Sequence, residues 1–393
     1  MQDAQVLIVG AGIGGLTAAL ALQQAGCRVT VFEQAAELRE LGAGILVTPN
    51  AMHALHHLGV GRALVECSSS QNRNATRHYA SAEITKVRPP SSVYLEKYGA
   101  EFLQVHRNDL HALLCREVLA NDPQAIRVSH RFADLAQDAE GVTAHFAGGQ
   151  HARGDVLIGA DGCSSTVRTR VQAPEAVNYT GQVAFRALVP IENVDPALID
   201  PPMSLYLGTG KLFLHYDLQR GRVLNIIGIA RQPAWQEEGW AIPADPQEFL
   251  ALYEEFHPHV HGIIRSIGPG ELYKWGLRDR EPMPQWTFGR VSMLGDAAHP
   301  ITPFLGQGAC MAVEDGMVLA RCVAAASDVA QALASYEHAR KSRANGVQLH
   351  SRAQAEAYQG ATRDKVNLGR DAEALGLFTY NPATVPIELR APG

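Results

Sequence analysis

The segment Val6-Leu7-Ile8-Val9-Gly10-Ala11-Gly12-Ile13-Gly14-Gly15 carries the strongest structural signal in this sequence. Its four apolar residues predict a strand buried on both faces of a parallel sheet. The glycines that follow match the pattern GxGxxG, and an Ala- and Leu-rich stretch, Leu16 to Ala25, predicts a helix that Gly26 ends. The segment therefore predicts the strand, glycine turn and helix of a dinucleotide-binding unit.

The next segment completes this unit. Arg28-Val29-Thr30-Val31-Phe32 predicts a second strand, and Glu33 ends it 21 residues after Gly12. In such units the first glycine permits a tight turn, the second lets a pyrophosphate approach the backbone, and the third lets helix and strand pack closely. An acid at the end of the second strand accepts hydrogen bonds from a ribose diol and disfavours a 2′-phosphate, so the predicted tight ligand is FAD or NAD rather than NADP.

Composition limits the class of protein. The chain has 393 residues, 46% of them hydrophobic, 19% charged and 36 of them glycine, which favours two domains of ordinary size and a substantial core. The net charge of −6, without long runs of one sign, argues against a nucleic-acid partner. We expect no signal peptide and no membrane span, because the start lacks a basic region and no apolar run reaches about 18 residues.

Cysteine and histidine spacing excludes the common metal sites. The six cysteines form no CxxC pair, which disfavours zinc ribbons, iron–sulfur clusters and a redox dithiol. We expect reduced cysteines and a cytoplasmic protein. His53, His56 and His57 are assigned to a surface helix. His257, His259 and His261 would share a face only on a strand, which Pro258 would interrupt, so no metal site is predicted.

Two later segments repeat the pattern of a buried strand followed by an acidic turn. The first runs from Asp155 through Asp161-Gly162 to Arg168, and the second runs from Gly289 through Gly295-Asp296 to Pro300. The carboxylate of Asp296 is suited to accept hydrogen bonds from a polyol chain. Between these segments, residues 176–231 are rich in short predicted strands with Gly and Pro between them, which indicates a separate, mostly antiparallel sheet.

In the order and spacing of these three motifs, from Val6 to about residue 350, the sequence resembles the single-component FAD-dependent aromatic hydroxylases. This class includes para-hydroxybenzoate, salicylate, 3-hydroxybenzoate and 6-hydroxynicotinate hydroxylases. The resemblance implies an α/β fold, with a Rossmann-like FAD-binding domain, an inserted mostly antiparallel β substrate domain and C-terminal helices. The boundaries predicted are 1–75, 97–175 and 285–330 for the FAD-binding domain, 76–96 and 176–284 for the substrate domain, and 331–393 for the C-terminal region.

The resemblance also assigns the cofactor-binding residues. Arg39 and Arg107 match arginines that contact FAD, Asp161 and Gly162 match a motif implicated in FAD and NAD(P)H interaction, and Asp296 matches the carboxylate that holds the ribityl chain. Glycines and prolines before a predicted helix near Ala309 let backbone N–H groups face the flavin, where the helix dipole stabilises negative charge. The remaining predicted cofactor-binding residues are Gly10, Gly12, Gly14, Gly15, Glu33, Gln34, Gly306 and Gly308.

The substrate is expected between the flavin and the β-rich domain. Lys211, Phe213 and His215 share one face of a predicted strand. Lys211 and His215 stand where relatives carry a histidine and, four residues on, a tyrosine, so this sequence departs from its relatives at both positions. We predict that His215 polarises or deprotonates a ring hydroxyl and that Lys211, with Arg186, binds a carboxylate. The alternative is an ordinary buried histidine and a solvated lysine. Apolar residues predicted to contact substrate are Leu46, which stands where the 6-hydroxynicotinate enzymes have a histidine, Phe213, Pro303 and Phe304.

The predicted function is the hydroxylation of a small phenolic or hydroxy-heteroaromatic acid through a C4a-hydroperoxyflavin. FAD is bound tightly but not covalently, and NADH or NADPH is a transient co-substrate because the chain has one GxGxxG alone. The alternatives are a reductase, a dehydrogenase or a larger-substrate monooxygenase on the same fold, or a non-catalytic FAD-binding protein. We expect a monomer or homodimer that has no membrane or nucleic-acid partner.

Overall fold

The computed structural model describes residues 1, 3–38, 43–70, 73–173, 175–235, 237, 239, 241–360 and 369–391, with the backbone alone for residue 359. Within these residues the strands are β1 (Gln5–Val9), β2 (Arg28–Phe32), β3 (Gly44–Val47), β4 (Ser69–Ser70), β5 (Asn74–His78), β6 (Ile84–Arg88), β7 (Leu103–His106), β8 (Ile126–Arg127), β9 (Phe132–Gln137), β10 (Val142–Phe146), β11 (His151–Gly154), β12 (Val156–Gly159), β13 (Asn178–Pro190), β14 (Met203–Gly208), β15 (Lys211–Leu218), β16 (Val223–Arg231), β17 (Ile242–Pro243), β18 (Leu272–Asp279), β19 (Thr287–Phe288) and β20 (Val291–Met293). The helices are α1 (Ile13–Gln24), α2 (Pro49–His57), α3 (Gly61–Cys67), α4 (Ser91–Tyr98), α5 (Arg107–Asn121), α6 (Thr166–Val171), α7 (Pro246–Leu252), α8 (Pro258–Arg265), α9 (Gly308–Ala325) and α10 (Val329–Gln359).

A six-stranded sheet carries the glycine turn. Its order is β19-β20-β12-β1-β2-β8, and every neighbouring pair but β19–β20 is parallel. Helix α1 packs against α9 and α5. Because it has protein neighbours on several sides, it is apolar nearly all round and its leucines are buried. This arrangement places the C-terminal ends of β1, β2, β12 and β20 at one edge of the sheet, which is where ligands bind in α/β folds.

An eight-stranded sheet lies against this edge. Its order is β17-β18-β13-β16-β15-β14-β5-β6, and it is antiparallel except between β14 and β5. One face packs on α7 and α8 through an aromatic cluster that includes Phe185, Phe213 and Phe249. The other face, with Leu212 and Ile229, packs on Phe304. We call this second face the inner face, because it covers the nucleotide-binding half of the molecule.

Smaller elements join the two large sheets. Strands β3, β7 and β4 form one three-stranded sheet, and β9, β10 and β11 form another. Helix α10 packs along α9, and residues 369–391 include a short apolar segment around Phe378 that packs on Tyr94 and Val347. In the described residues, no helix combines the length and hydropathy needed to cross a bilayer.

The predicted α/β architecture is confirmed, with its parallel and antiparallel sheets and its helices at the C-terminal end. Sequence patterning missed the β9–β11 sheet and β18. Residues 258–261 form the first turn of α8, with Pro258 at a position where helices tolerate it. The predicted domain boundaries stay a prediction, although β5 and β6 do join the eight-stranded sheet.

Candidate active site

The glycines of the first turn serve different purposes. Gly10 has a φ of +106°, and a Cβ atom at Gly15 would lie 2.1 Å from the Gly10 carbonyl oxygen. A Cβ atom at Gly14 would lie 2.7 Å from a Leu294 methyl group, so this glycine lets α1 approach its neighbour. Around Gly12, in contrast, no protein atom lies within 4 Å of such a Cβ, and the residue lines a cavity. Gly12 is therefore the glycine whose missing side chain leaves space for a ligand.

We predict opposite effects for alanine at two of these glycines. Gly15→Ala should destabilise the protein by about 1–3 kcal/mol, because the new methyl group overpacks the β1–α1 junction. Gly12→Ala should leave the apoprotein's melting temperature unchanged, since its φ of −73° suits any residue, but should weaken FAD binding by about tenfold or more, because a methyl group stands where a pyrophosphate approaches. Thermal unfolding of apoprotein and fluorescence titration with FAD test both. Unchanged FAD affinity in Gly12→Ala would contradict the assignment.

Glu33 holds the turn from the neighbouring strand. Its Oε2 accepts a hydrogen bond from the Ala11 N–H at 3.0 Å, and its Oε1 accepts one from the Ala35 N–H at 2.9 Å. Each carboxylate oxygen retains a second lone pair, and both Glu33 and Gln34 line the cavity. The acid therefore fixes the turn and still presents acceptors to a ribose.

The Asp161 carboxylate is engaged by the chain itself. Its Oδ2 accepts hydrogen bonds from the N–H groups of Thr166 (2.7 Å) and Val167 (3.0 Å), so it caps the start of α6. Burial raises the pKa of Asp161. From α6, Arg168 donates to the carbonyl oxygens of Ala297 and Ala298 at 3.2 and 3.1 Å. Arg168 thus connects the segment after the Asp161–Gly162 motif to the turn that carries Asp296. Gly162 lines the cavity.

Asp315, on α9, organises the turn that carries Asp296. Its carboxylate accepts hydrogen bonds from the Gly295 N–H (3.1 Å), His299 Nε2 (2.6 Å) and Arg340 Nε (2.7 Å). Although burial alone would raise it, the pKa of Asp315 is lowered to about 2 by His299 and Arg340. Asp296 itself points into the cavity, and burial raises its pKa. The sequence interpretation contained no role for Asp315 or Arg340, because the partners lie far apart in the chain.

Hydrogen bonds join the loop before α9 to the segment that follows β3. Gln307 donates from Nε2 to Thr48 Oγ1 at 3.0 Å and accepts from Asn50 Nδ2 at 3.0 Å. A Cβ atom at Gly306, whose φ is +64°, would lie 3.2 Å from Leu46 Cδ1, and one at Gly308 would lie 4.0 Å from Asp296 Oδ1. The structure therefore brings together Asp296, Leu46, Gly306 and the α9 start at Gly308 and Ala309. Nearby, Pro303 begins a short 3₁₀ turn and Phe304 packs on the inner face.

Polar side chains of the inner face converge on Gly44. Arg186 donates to the Gly44 carbonyl oxygen at 3.3 Å and lies 5.6 Å from the Trp275 ring centre. Asn225 Oδ1 accepts from the Gly44 N–H at 3.0 Å, and a Cβ atom on Gly44 would lie 2.7 Å from the Tyr216 hydroxyl. Among the described residues, Arg186 Nε and Asn225 Nδ2 have no hydrogen-bond partner. Burial raises the pKa of Tyr216 to about 12, and Arg186 opposes the rise.

Three predicted substrate-side residues lie on the opposite face of the sheet. Lys211 pairs with Glu255 at 3.0 Å, Phe213 belongs to the aromatic cluster against α7 and α8, and His215 is fully buried near Tyr206. The structure therefore does not bring His215, Lys211 or Phe213 to the cavity. The physical reason is the two-residue period of a strand: a pairing shifted by one residue moves every side chain to the other face.

The inner-face pair that is four residues apart is Leu212 and Tyr216. In β15 the side chains of both faces are largely apolar, so hydrophobic alternation could not identify the inner one. The tyrosine at 216 was the available signal, because relatives carry a histidine followed four residues on by a tyrosine. Aligning Tyr216 with the relatives' tyrosine places Leu212 at the position of their histidine, one residue away from the alignment that uses Lys211 and His215.

We predict that His215 controls acid stability. Burial lowers its pKa to about 3, so the folded state resists a proton that the unfolded chain accepts below about pH 6.5. Stability is therefore lost as the pH falls from about 6.5 towards 3, by about 2 kcal/mol between pH 7 and pH 5. In His215→Leu this loss should disappear, and in the control His57→Leu, at an exposed site, it should persist. Urea unfolding at pH 7 and pH 5 measures the free energy of unfolding of the parent and both variants. An equal loss of stability between the two pH values in all three proteins would contradict this prediction.

One cavity of about 1110 Å³ unites most of the predicted cofactor residues. It runs from the glycine turn, past the Asp296 turn, to the inner face of the eight-stranded sheet. Arg39 lies outside the described residues. Among the described residues, no group of His, Cys, Asp and Glu is arranged to hold a metal ion. The predicted residues that line the cavity are Gly10, Gly12, Glu33, Gln34, Arg107, Asp161, Gly162, Arg186 and Asp296.

A Rossmann-like sheet whose dinucleotide turn opens into a cavity covered by a second sheet is typical of a dinucleotide-dependent oxidoreductase. Residues 3–351 match a family model described as an FAD binding domain. The chain belongs to this family and is an FAD-dependent aromatic hydroxylase. The resemblance found in the sequence motifs is thereby confirmed.

Curated relatives and solved structures agree. The chain is 34% identical to 6-hydroxynicotinate 3-monooxygenase of Pseudomonas fluorescens, over 88% of this chain and 90% of that protein. It is 34% identical to 3-hydroxybenzoate 6-hydroxylase of Polaromonas naphthalenivorans (strain CJ2), over 92% and 90%. Among solved structures, it is similar to a salicylate hydroxylase substrate complex (TM-score 0.82, 25% identity, 98% and 99% covered) and to Klebsiella pneumoniae HpxO complexed with FAD and uric acid (TM-score 0.83, 29%, 96% and 96%).

Proposed function

We propose that this protein uses NADH or NADPH and O2 to hydroxylate a small phenolic or hydroxy-heteroaromatic acid. The observation that carries the proposal is the convergence of Arg186, Tyr216 and Asn225 on Gly44, with Arg186 lining the same cavity as Asp296. A cation and a neutral hydroxyl beside an apolar wall suit an aromatic ring with a carboxylate and a ring oxygen. Similar proteins are named for hydroxybenzoate and hydroxynicotinate substrates.

The residues present fit FAD. Space beside Gly12 admits a pyrophosphate, Glu33 retains lone pairs for a ribose, and the Asp296 carboxylate opens into the cavity towards a ribityl chain. The start of α9 supplies N–H donors and the positive end of a helix dipole to the pyrimidine edge. When bound, FAD supplies hydride acceptance from the nicotinamide and activation of O2.

Arg186 is the residue suited to bind the substrate carboxylate. It lines the cavity, and it forms no ion pair among the described residues. Burial lowers its pKa, yet a guanidinium keeps its charge at neutral pH. An unpaired cation in a desolvated site gains most from a planar anion, because a carboxylate accepts two parallel hydrogen bonds from the guanidinium.

Tyr216 is suited to bind the ring oxygen. With a pKa of about 12 its hydroxyl stays protonated at neutral pH and donates a hydrogen bond, which strengthens as the substrate oxygen gains negative charge. A ring oxygen stabilised as an anion makes the ring more nucleophilic towards an electrophilic oxygen. Apolar neighbours such as Leu46, Leu214 and Ile227 keep water from the ring.

The test is a screen of aromatic acids with the FAD-loaded protein. We expect at least one hydroxybenzoate or hydroxypyridine carboxylate to stimulate NADH or NADPH oxidation and to yield a product 16 mass units heavier, labelled by ¹⁸O2. The matching carboxamides should stimulate poorly, because they lack the anion for Arg186. If every acid tested gives only hydrogen peroxide during NADH or NADPH oxidation, and no hydroxylated product, the result would support a reductase instead.

We also propose a cytoplasmic monomer or homodimer. None of the six cysteines is in a disulfide bond, as expected for a reducing compartment. Light scattering after gel filtration measures the mass, and a higher oligomer would contradict this part of the proposal.

A further inference from the structure

Strand β7 presents a buried polar side chain to the proposed substrate site. Gln104 lies directly opposite Leu46 of β3 in their antiparallel pair, so both side chains project from the same face of that small sheet. Gly44 lies on this face too, about 7 Å along β3 from Leu46. A Cβ atom on Gly44 would lie 2.7 Å from the Tyr216 hydroxyl. Gln104 therefore faces the inner face of the eight-stranded sheet, on the side where Tyr216 lies.

The contacts of the Gln104 amide fix its orientation. Its Nε2 donates to Met203 Sδ at 3.2 Å, and a thioether sulfur can only accept a hydrogen bond, so the N–H₂ end of the amide faces Met203. Met203 belongs to one apolar cluster with Tyr216 and Leu46. Gln104 is only 1% exposed, and its Oε1 has no hydrogen-bond partner among the described residues. A buried acceptor without a donor thus lies in the wall of the proposed substrate site.

The groups already assigned to the substrate do not supply this donor. The carboxylate proposed for Arg186 has acceptors alone, and so does the ring oxygen once it gains negative charge beside Tyr216. A buried carbonyl oxygen that stays unpaired costs free energy, because it has lost its hydrogen bonds to water. A ligand that brings an N–H or O–H group to Gln104 removes this cost, whereas a ligand without one keeps it.

We propose that Gln104 determines substrate specificity, with its Oε1 accepting a hydrogen bond from a second donor on the aromatic acid. This donor is an N–H or O–H group at a ring position other than that of the oxygen bound by Tyr216. The inference rests on the proposed function and narrows its substrate class to acids with a further amino or hydroxyl group, or with a ring N–H. A site that pairs with such a donor rejects the analogue that lacks it.

The experiment is a titration of the FAD-loaded protein with matched acids in the absence of nicotinamide, followed by the flavin absorbance. One arm uses hydroxybenzoates that carry an amino, hydroxyl or methyl group at one further ring position, since methyl has a similar size but cannot donate. The other arm compares hydroxypyridine carboxylates in their lactam form with the N-methyl lactams. In at least one arm the donor compound should bind about five- to fiftyfold tighter than its methyl analogue. The responding arm identifies the source of the donor.

Gln104→Met removes the acceptor and keeps a side chain of similar length. It should reduce the ratio of the two dissociation constants to about one, through weaker binding of the donor compound alone. The apoprotein's melting temperature should stay unchanged, because Oε1 has no partner to lose. The control is Gln23→Met on α1, where Nε2 donates to the Val118 carbonyl oxygen at 3.3 Å. It makes the same change away from the substrate site and should keep the parent's ratio.

Equal binding of donor and methyl compounds by the parent in both arms would overturn the inference. The same preference in Gln104→Met as in the parent would overturn it too, and a lower melting temperature in that case would make Gln104 a structural residue. Failure of every acid to bind would overturn both this inference and the proposed function. If Gln104→Met loses the preference but no acid gains oxygen in the parent, the proposed function fails and the role of Gln104 stands.

Discussion

In Arg186→Leu, kcat/KM for the aromatic acid should fall about thirtyfold or more, while FAD remains bound. Removing one partner of a desolvated charge pair costs about 2–5 kcal/mol, because the other charge is left buried without its counterion. Arg186 has no carboxylate partner among the described residues, so leucine should not strand an acid in the protein. Arg186→Lys should recover part of the activity, since it keeps the charge but not the bidentate geometry.

Lys211→Leu is the matched control for this prediction. It removes a positive charge from the same sheet, but Lys211 lies on the far face, paired with Glu255. Steady-state kinetics with an aromatic acid and with its carboxamide should show that Arg186→Leu abolishes the preference for the acid, whereas Lys211→Leu preserves it. Loss of the preference in Lys211→Leu alone would show that the carboxylate binds on the other face.

The dinucleotide-binding half could be predicted from the sequence because its signals are local. A buried strand, the glycines from Gly10 to Gly15 and the terminal Glu33 lie within one short segment, and the structure brings them together as one turn. The Asp296 motif was equally readable, since the strand and the acidic turn are adjacent. The glycine turn and the Asp296 turn depend on the local backbone conformation, which residues close in the sequence determine.

The substrate side could not be predicted because it depends on long-range pairing. Choosing between the two faces of β15 requires knowledge of which face the parallel-sheet half covers, and the alternation of apolar residues is the same for both. Trp275 lies beside Arg186 because β18 pairs with β13, a contact between segments far apart in the sequence. Asp315 likewise gains its role through Gly295, His299 and Arg340, which surround it only in the fold.

Asp315→Asn should lower the free energy of unfolding by about 3–5 kcal/mol, the cost typical of breaking a buried ion pair. The asparagine keeps the shape but loses the charge, and its amide N–H₂ meets donors: the Gly295 N–H, His299 Nε2 and Arg340 Nε all point at the carboxylate. Arg340, with no exposed surface, would then depend on Glu314 alone among its acidic partners.

The same substitution should also weaken FAD binding, since the Gly295 N–H that Asp315 holds belongs to the turn that aims Asp296 into the cavity. FAD dissociation measured well below the melting temperature separates this effect from unfolding. Asp138→Asn is the control, because Asp138 is an exposed acid paired with Arg153, and exposed pairs contribute little to stability. If Asp315→Asn melted earlier yet retained FAD as the parent does, Asp315 would stabilise the fold without positioning Asp296.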